Sequence, residues 1–145
     1  MAMTNFGPLR SSSDTTTDTL NGGWVQCVQT VSVTTVADGS AVSGTITLPA
    51  NAQIIEYYVD KTVLQSGGAA TAYDVTVGTA AAGAQYMTST DMVAATRATT
   101  AKAVAQLLAM SAIGTNTSVV LTVAPNGTVG SQGTFLLTVE YAQKV

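Results

Sequence analysis

Apolar and polar residues alternate one for one along most of this chain, and turn-forming residues break the alternation at intervals of roughly 8–12 residues. That pattern constrains the fold more than any other feature. A period of two places one set of side chains on a buried face and the other in solvent, which is the geometry of a strand covered on one side. Val25, Cys27, Val31 and Val33 alternate with Gln26, Thr30, Ser32 and Thr34. Asp38-Gly39-Ser40 then turns the chain. Val42, Gly44, Ile46 and Leu48 alternate with Ser43, Thr45 and Thr47 up to the breaker Pro49-Ala50-Asn51-Ala52. Ile55, Tyr57, Val59 and Val63 come next, opposite Ile54, Glu56, Tyr58, Asp60 and Thr62, and Gly67-Gly68 closes the run. Tyr73, Val75 and Val77 follow, then a short strand over 84–88. Val119, Leu121 and Val123 lead to the turn Pro125-Asn126-Gly127. Phe135, Leu137, Val139 and Tyr141 end the series, opposite Leu136, Thr138 and Glu140.

Two stretches are read differently. Ser89-Thr90-Asp91 before Met92-Val93-Ala94-Ala95 has the form of a helix N-cap, so one or two helical turns are expected there. Residues 101–113 fit both periods: Ala101, Val104, Leu107, Leu108 and Ser111 at helical spacing, or Val104, Leu108 and Met110 along one side of a strand. Strand is preferred, because every flanking element is β and the sheet needs a partner. The expectation is all-β: a single β-sandwich of about eight strands, jelly-roll-like, over residues 23–145. Residues 1–22 differ in kind. Ser11-Ser12-Ser13-Asp14-Thr15-Thr16-Thr17-Asp18-Thr19 has nothing to bury and reads as an extended or disordered arm. Asn21-Gly22-Gly23 marks where the folded body begins.

Chemistry-bearing groups are few. The 145 residues include no histidine and one cysteine, and charged residues make up 9%, against about 25% in an ordinary soluble domain. The absence of histidine removes the commonest general base and metal ligand. Cys27 has no internal partner and reads as a small apolar side chain on a strand. Glu56 and Asp60, four residues apart on one strand, are about 13 Å apart, outside the separations of a glycosidase pair. Gly127-Thr128-Val129-Gly130-Ser131-Gln132-Gly133 lacks the Gly-Lys-Ser/Thr ending of a phosphate loop and lies between strands. No catalytic residue, cofactor or metal site is therefore assigned, and the chain is read as a non-enzyme. The five basic residues are scattered, so no nucleic-acid partner is expected. No run of 18 apolar residues suggests a membrane span. Met1–Gly22 has no apolar signal core, so synthesis in a cytoplasm is expected.

What asks for explanation is apolar side chains at polar positions. Trp24, Ile54, Tyr58 and Leu136 fall on outward faces of the strands, and Phe6, Pro8 and Leu9 form an apolar patch in the arm. Such residues are covered by a loop in a free monomer, or they mark a protein–protein interface, where aromatic residues are enriched and charge is depleted.

Gly44-Thr45-Ile46-Thr47-Leu48-Pro49-Ala50-Asn51-Ala52-Gln53-Ile54-Ile55 resembles small virion proteins of tailed bacteriophages, as do Tyr73-Asp74-Val75-Thr76-Val77-Gly78-Thr79 and Phe135-Leu136-Leu137-Thr138-Val139-Glu140-Tyr141. The resemblance covers roughly residues 40–142 and contains no catalytic motif. It implies a capsid decoration (cement) protein on the capsid surface of a virion, with the major capsid protein and further copies of itself, as a trimer, for partners. A head-fibre or tail-fibre base or adaptor, and a carbohydrate-binding adhesin module, are the alternative readings.

Overall fold

The computed structural model describes residues 24–64, 68–94, 96–99, 102–111 and 114–144. Eight strands occur in it: β1 (Trp24–Thr34), β2 (Val42–Leu48), β3 (Ala52–Val63), β4 (Ala72–Gly78), β5 (Met87–Asp91), β6 (Arg97–Ala98), β7 (Thr117–Asn126) and β8 (Thr134–Lys144). One helix, α1 (Val104–Ala109), lies between β6 and β7. The strands form two four-stranded sheets, in the orders β1-β8-β3-β6 and β2-β7-β4-β5. The antiparallel pairs nest: β1 with β8, β2 with β7, β3 with β6, β4 with β5. A long hairpin rolled upon itself produces that nesting, and the result is the expected jelly roll.

The inward side chains follow from the alternation. Val33, Ile46, Leu48, Val59, Val75, Val77, Val119, Leu121, Val123, Phe135, Leu137 and Val139 are buried between the sheets. Tyr57, Tyr73, Tyr86, Met87 and Met92 complete the core as its bulkier members. Turn chemistry holds where it was expected. Asp38 accepts the Ser40 N–H at 2.8 Å, and Asn51 takes a left-handed φ of 63° between β2 and β3. Gly127 sits at φ 107° and its carbonyl is so close to Gly39 that a Cβ there would lie 2.5 Å from it.

Four details correct the sequence reading. The phase of β3 slips twice, after Ile54 and after Lys61. A bulge between Ile54 and Glu56 in the register with β8 makes Ile55 an extra residue. Upstream of it the inward positions are Ala52 and Ile54, and downstream they are Tyr57, Val59 and Lys61. Ile54 is thus core at 5% exposure, and Ile55, expected inside, is 46% exposed. A bulge puts two residues against one and cannot be read from alternation. Val63, also expected inside, is exposed, because the second slip sets it opposite Thr134.

Residues 92–94 form no helical turn. Asp91 does accept the Val93 N–H at 2.9 Å, but the same oxygen takes the Tyr73 N–H at 2.9 Å and anchors the chain to β4. Lys61 Nζ donates to the carbonyls of Met92 and Val93, at 2.8 Å each. Those carbonyls would otherwise accept the first helical bonds. The short strand foreseen over 84–88 is displaced to Met87–Asp91.

The stretch read as a strand at 101–113 contains the helix Val104–Ala109 instead. The Gln106 side chain reaches back to the Ala103 N–H at 2.8 Å, and Met110 N–H closes onto Gln106 C=O. The edge of β3 is covered by this segment without a full strand: β6 pairs only Val59 and Asp60, and Ile54 N–H donates to Met110 C=O at 3.0 Å.

On β1, Val25 is expected in the core and is 48% exposed, because burial along this strand begins only at Cys27. Cys27 and Val31 are half-buried against the core.

Candidate interaction surface

The charges of the fold collect along β3. Arg97 holds Asp60 through both Nε and Nη2, the latter at 2.7 Å, and its guanidinium lies 4.3 Å from the centre of the Tyr58 ring. Lys102 pairs with Glu56 and lies 5.1 Å from the Tyr57 ring centre. Lys61 is buried and holds the loop after β5. The three basic side chains that the structure describes therefore all bind the 92–110 segment to one strand. Arg97 draws Asp60 below the usual carboxylate range against a smaller opposing effect of burial. Burial raises Glu56, but Lys102 and the Tyr57 N–H together outweigh it and leave the carboxyl lowered. Glu56 and Asp60 are each engaged in a salt bridge, and they do not form a carboxylate pair. Among the described residues no group of three or more His, Cys, Asp or Glu could hold a metal ion. No described helix is long and apolar enough to cross a membrane.

Elsewhere the surface is rich in hydroxyls and exposed hydrocarbon, with Asp38, Asp74, Asp91 and Glu140 as the remaining described charges. The outer face of the β1-β8-β3-β6 sheet presents Thr30, Ser32 and Thr34 from β1, Thr134 and Leu136 from β8, and Tyr58 and Thr62 from β3. Tyr58 stands opposite Thr138 and Leu136 opposite Asp60, so these two expected interface residues are diagonal neighbours, both half-buried. Trp24, 54% exposed, lies on the same face. Six residues of β1 separate it from the row of Tyr58, roughly 20 Å. Ile54 is not on that face. Phe6, Pro8 and Leu9 lie outside the described residues, as does the whole arm.

A second apolar surface was not foreseen. Helix α1 is amphipathic in the reverse sense: Gln106 is buried, while Val104, Leu107 and Leu108 are exposed at 74%, 53% and 68%. These are positions i, i+3 and i+4, one stripe of a helix. The helical spacing of Val104, Leu107 and Leu108 was visible in the sequence, and only the side on which the stripe lies was not. Ile55 is exposed on the strand beside the same segment.

The fold has a counterpart in a phage head. A chain of the "Cyanophage Pam1 capsid asymmetric unit" superposes on this one with a TM-score of 0.58, covering 99% of each chain at 22% identity. The likeness is one of fold, and it extends over the full length of both chains. No protein-family model and no curated protein sequence matches the chain.

Proposed function

We propose that this protein is a non-enzymatic structural component of a tailed-phage virion, and specifically a decoration protein that cements the outer surface of the capsid. The observation that carries the reading is the end-to-end fold likeness to a chain of a phage capsid. The surface agrees with it. A chain with 9% charged residues and exposed Trp24, Val104, Leu107 and Leu108 has the character of a subunit within an assembly. Its partners would be the major capsid protein and other copies of itself, a trimer by resemblance. Contacts would run over the outer face with Trp24, Tyr58 and Leu136 and over the α1 stripe. Phe6, Pro8 and Leu9 would add a tether.

The adhesin alternative is weakened by where the aromatics lie. Tyr57, Tyr73, Tyr86 and Tyr141 are buried, which leaves Trp24 and Tyr58, roughly 20 Å apart, as outward platforms among the described residues. The test is sedimentation of the purified protein with heads assembled from the shell protein of the same genome. Saturable co-sedimentation with raised thermal resistance of the heads is expected. Heads that pellet without it, together with specific binding on a glycan array, would move the assignment to an adhesin.

A further inference from the structure

β1 is the longest sheet edge among the described residues and the least protected. It ends the order β1-β8-β3-β6, so one side pairs with β8 and the other has no partner strand among the described residues. Natural edges are kept from unwanted pairing by shortness, charge, proline or a bulge. The opposite sheet ends follow that rule: β6 has 2 residues and carries Arg97, and β5 has 5 and ends on Asp91. β1 has 11 residues, WVQCVQTVSVT, with no charge and no proline, in unbroken register with β8. β2, the end of the other sheet, lies against it at Gly44 and is also uncharged. These two edges therefore carry no charge that would repel an uncharged strand.

The pattern of β1 is complementary to itself. Set antiparallel about Gln29, it brings Val28 opposite Thr30, Cys27 opposite Val31, Gln26 opposite Ser32, Val25 opposite Val33 and Trp24 opposite Thr34 of a second copy. Every pair joins positions of the same face, and any other register pairs fewer of the eleven residues. The apolar pairs fall on the inward face, where Cys27 and Val31 are half-buried and Val25 is exposed. That row is incompletely covered within one chain, and a second strand beside it adds cover. We propose that β1 pairs antiparallel with β1 of a second copy across a two-fold axis at Gln29, joining two four-stranded sheets into one of eight strands.

The bonds available fit a stable contact. In an antiparallel ladder alternate pairs exchange two N–H···O bonds, so a strand of this length supplies about ten. That is the number a typical protein–protein interface carries. The contact is isologous and closes on a two-fold axis. It therefore lies outside any threefold ring, and in a trimer it joins one ring to the next. The pairing rests on the self-association in the proposed function and names the strand that carries it; it does not require the capsid.

Two tests use the full-length protein in free solution, so a failure to bind heads would count against the capsid reading and not against this pairing. Val28 is 58% exposed, and Val28→Lys adds the charge that guards natural edges. Sedimentation of the wild type should show self-association, weakened at least tenfold by Val28→Lys with the circular dichroism spectrum unchanged. The second test reads the register. Chains carrying Gln26→Cys and chains carrying Ser32→Cys, both with Cys27→Ser, are co-expressed and mildly oxidised. The two positions are exposed and face each other across the axis, about 5 Å apart and within disulfide reach. Each lies six residues, roughly 20 Å, from its own counterpart. Mass spectrometry should find disulfides between unlike chains formed at least tenfold faster than between like chains. A monomer at hundreds of micromolar, self-association untouched by Val28→Lys, or equal cross-linking of like and unlike chains would overturn the proposal.

Discussion

Arg97 holds Asp60 with two parallel N–H donors, and the same guanidinium covers the ring of Tyr58. One side chain thus ties the start of β6 to β3 through both charge and ring contact. Lysine is a point charge without the planar fork. Arg97→Lys is expected to loosen the 96–98 segment while leaving the β1-β8 ladder unchanged. Hydrogen exchange at the Lys61 N–H, which donates to Thr96 C=O at 2.8 Å, reads this directly. It should exchange faster in the variant, and an unchanged rate would show that the fork does not hold the segment.

Acid should release the same segment first. The carboxyls of Glu56 and Asp60 both lie below their ordinary values in the folded protein. In the unfolded chain they take up protons at about pH 4. The unfolded state therefore binds protons first as pH falls. The stabilisation is fully present above about pH 5 and is lost as pH drops through 4 towards the folded values. No histidine titrates in the range above. Denaturant midpoints should be flat above about pH 5 and fall below it, and Glu56→Gln with Asp60→Asn should flatten that acid limb.

Lys61 occupies an inward position on β3, opposite Phe135, and ends on two loop carbonyls. Its stem lies among apolar groups while the ammonium reaches the loop. Lys61→Met keeps the stem and removes the donor. The Val93 carbonyl can turn to water, but the Met92 bond is buried. The expected loss is about 1–3 kcal/mol, the cost of one unsatisfied buried acceptor, measured by urea denaturation. A neutral or stabilising result would mean that the loop re-forms around the apolar side chain.

Gly44 lets β2 pack closely against the side chains of β1. A Cβ there would lie 2.7 Å from Val33 Cγ2 and 2.9 Å from Val31 Cγ2. Both valines are β-branched and stiff, so they do not swing away freely. Gly44→Ala should cost about 1–3 kcal/mol, as overpacked cores do, even though alanine is otherwise an easier strand residue than glycine. Thermal unfolding checks it.

The α1 stripe makes the opposite prediction. Leu107→Asp and Leu108→Asp replace exposed side chains, so the stability of the isolated fold should stay within about 0.5 kcal/mol. Co-sedimentation with heads should drop sharply if the stripe is a contact surface. Wild-type binding by both variants would remove α1 from it.

The residues by themselves determined the six longer strands, the turns between most of them and most of the inward set, because alternation and turn chemistry are local properties of the chain. Val59, Val75, Leu121, Phe135 and Leu137 are buried where the period of two puts them. Tyr58, Leu136 and Trp24 lie on the outer face for the same reason. Tertiary structure decided what no local rule contains. The bulge after Ile54 arises from pairing with β8, and it exchanged Ile54 for Ile55 at the surface. Lys61 took the carbonyls on which a helical turn at 92 would have begun. The 101–113 stretch carries two periods equally well, and its outcome depended on an edge of β3 that is covered by a two-residue pairing and by the Lys61–Thr96 and Ile54–Met110 bonds. The helix that formed leaves Leu107 and Leu108 in solvent, and its buried Gln106 finds a partner at Ala103, inside its own first turn.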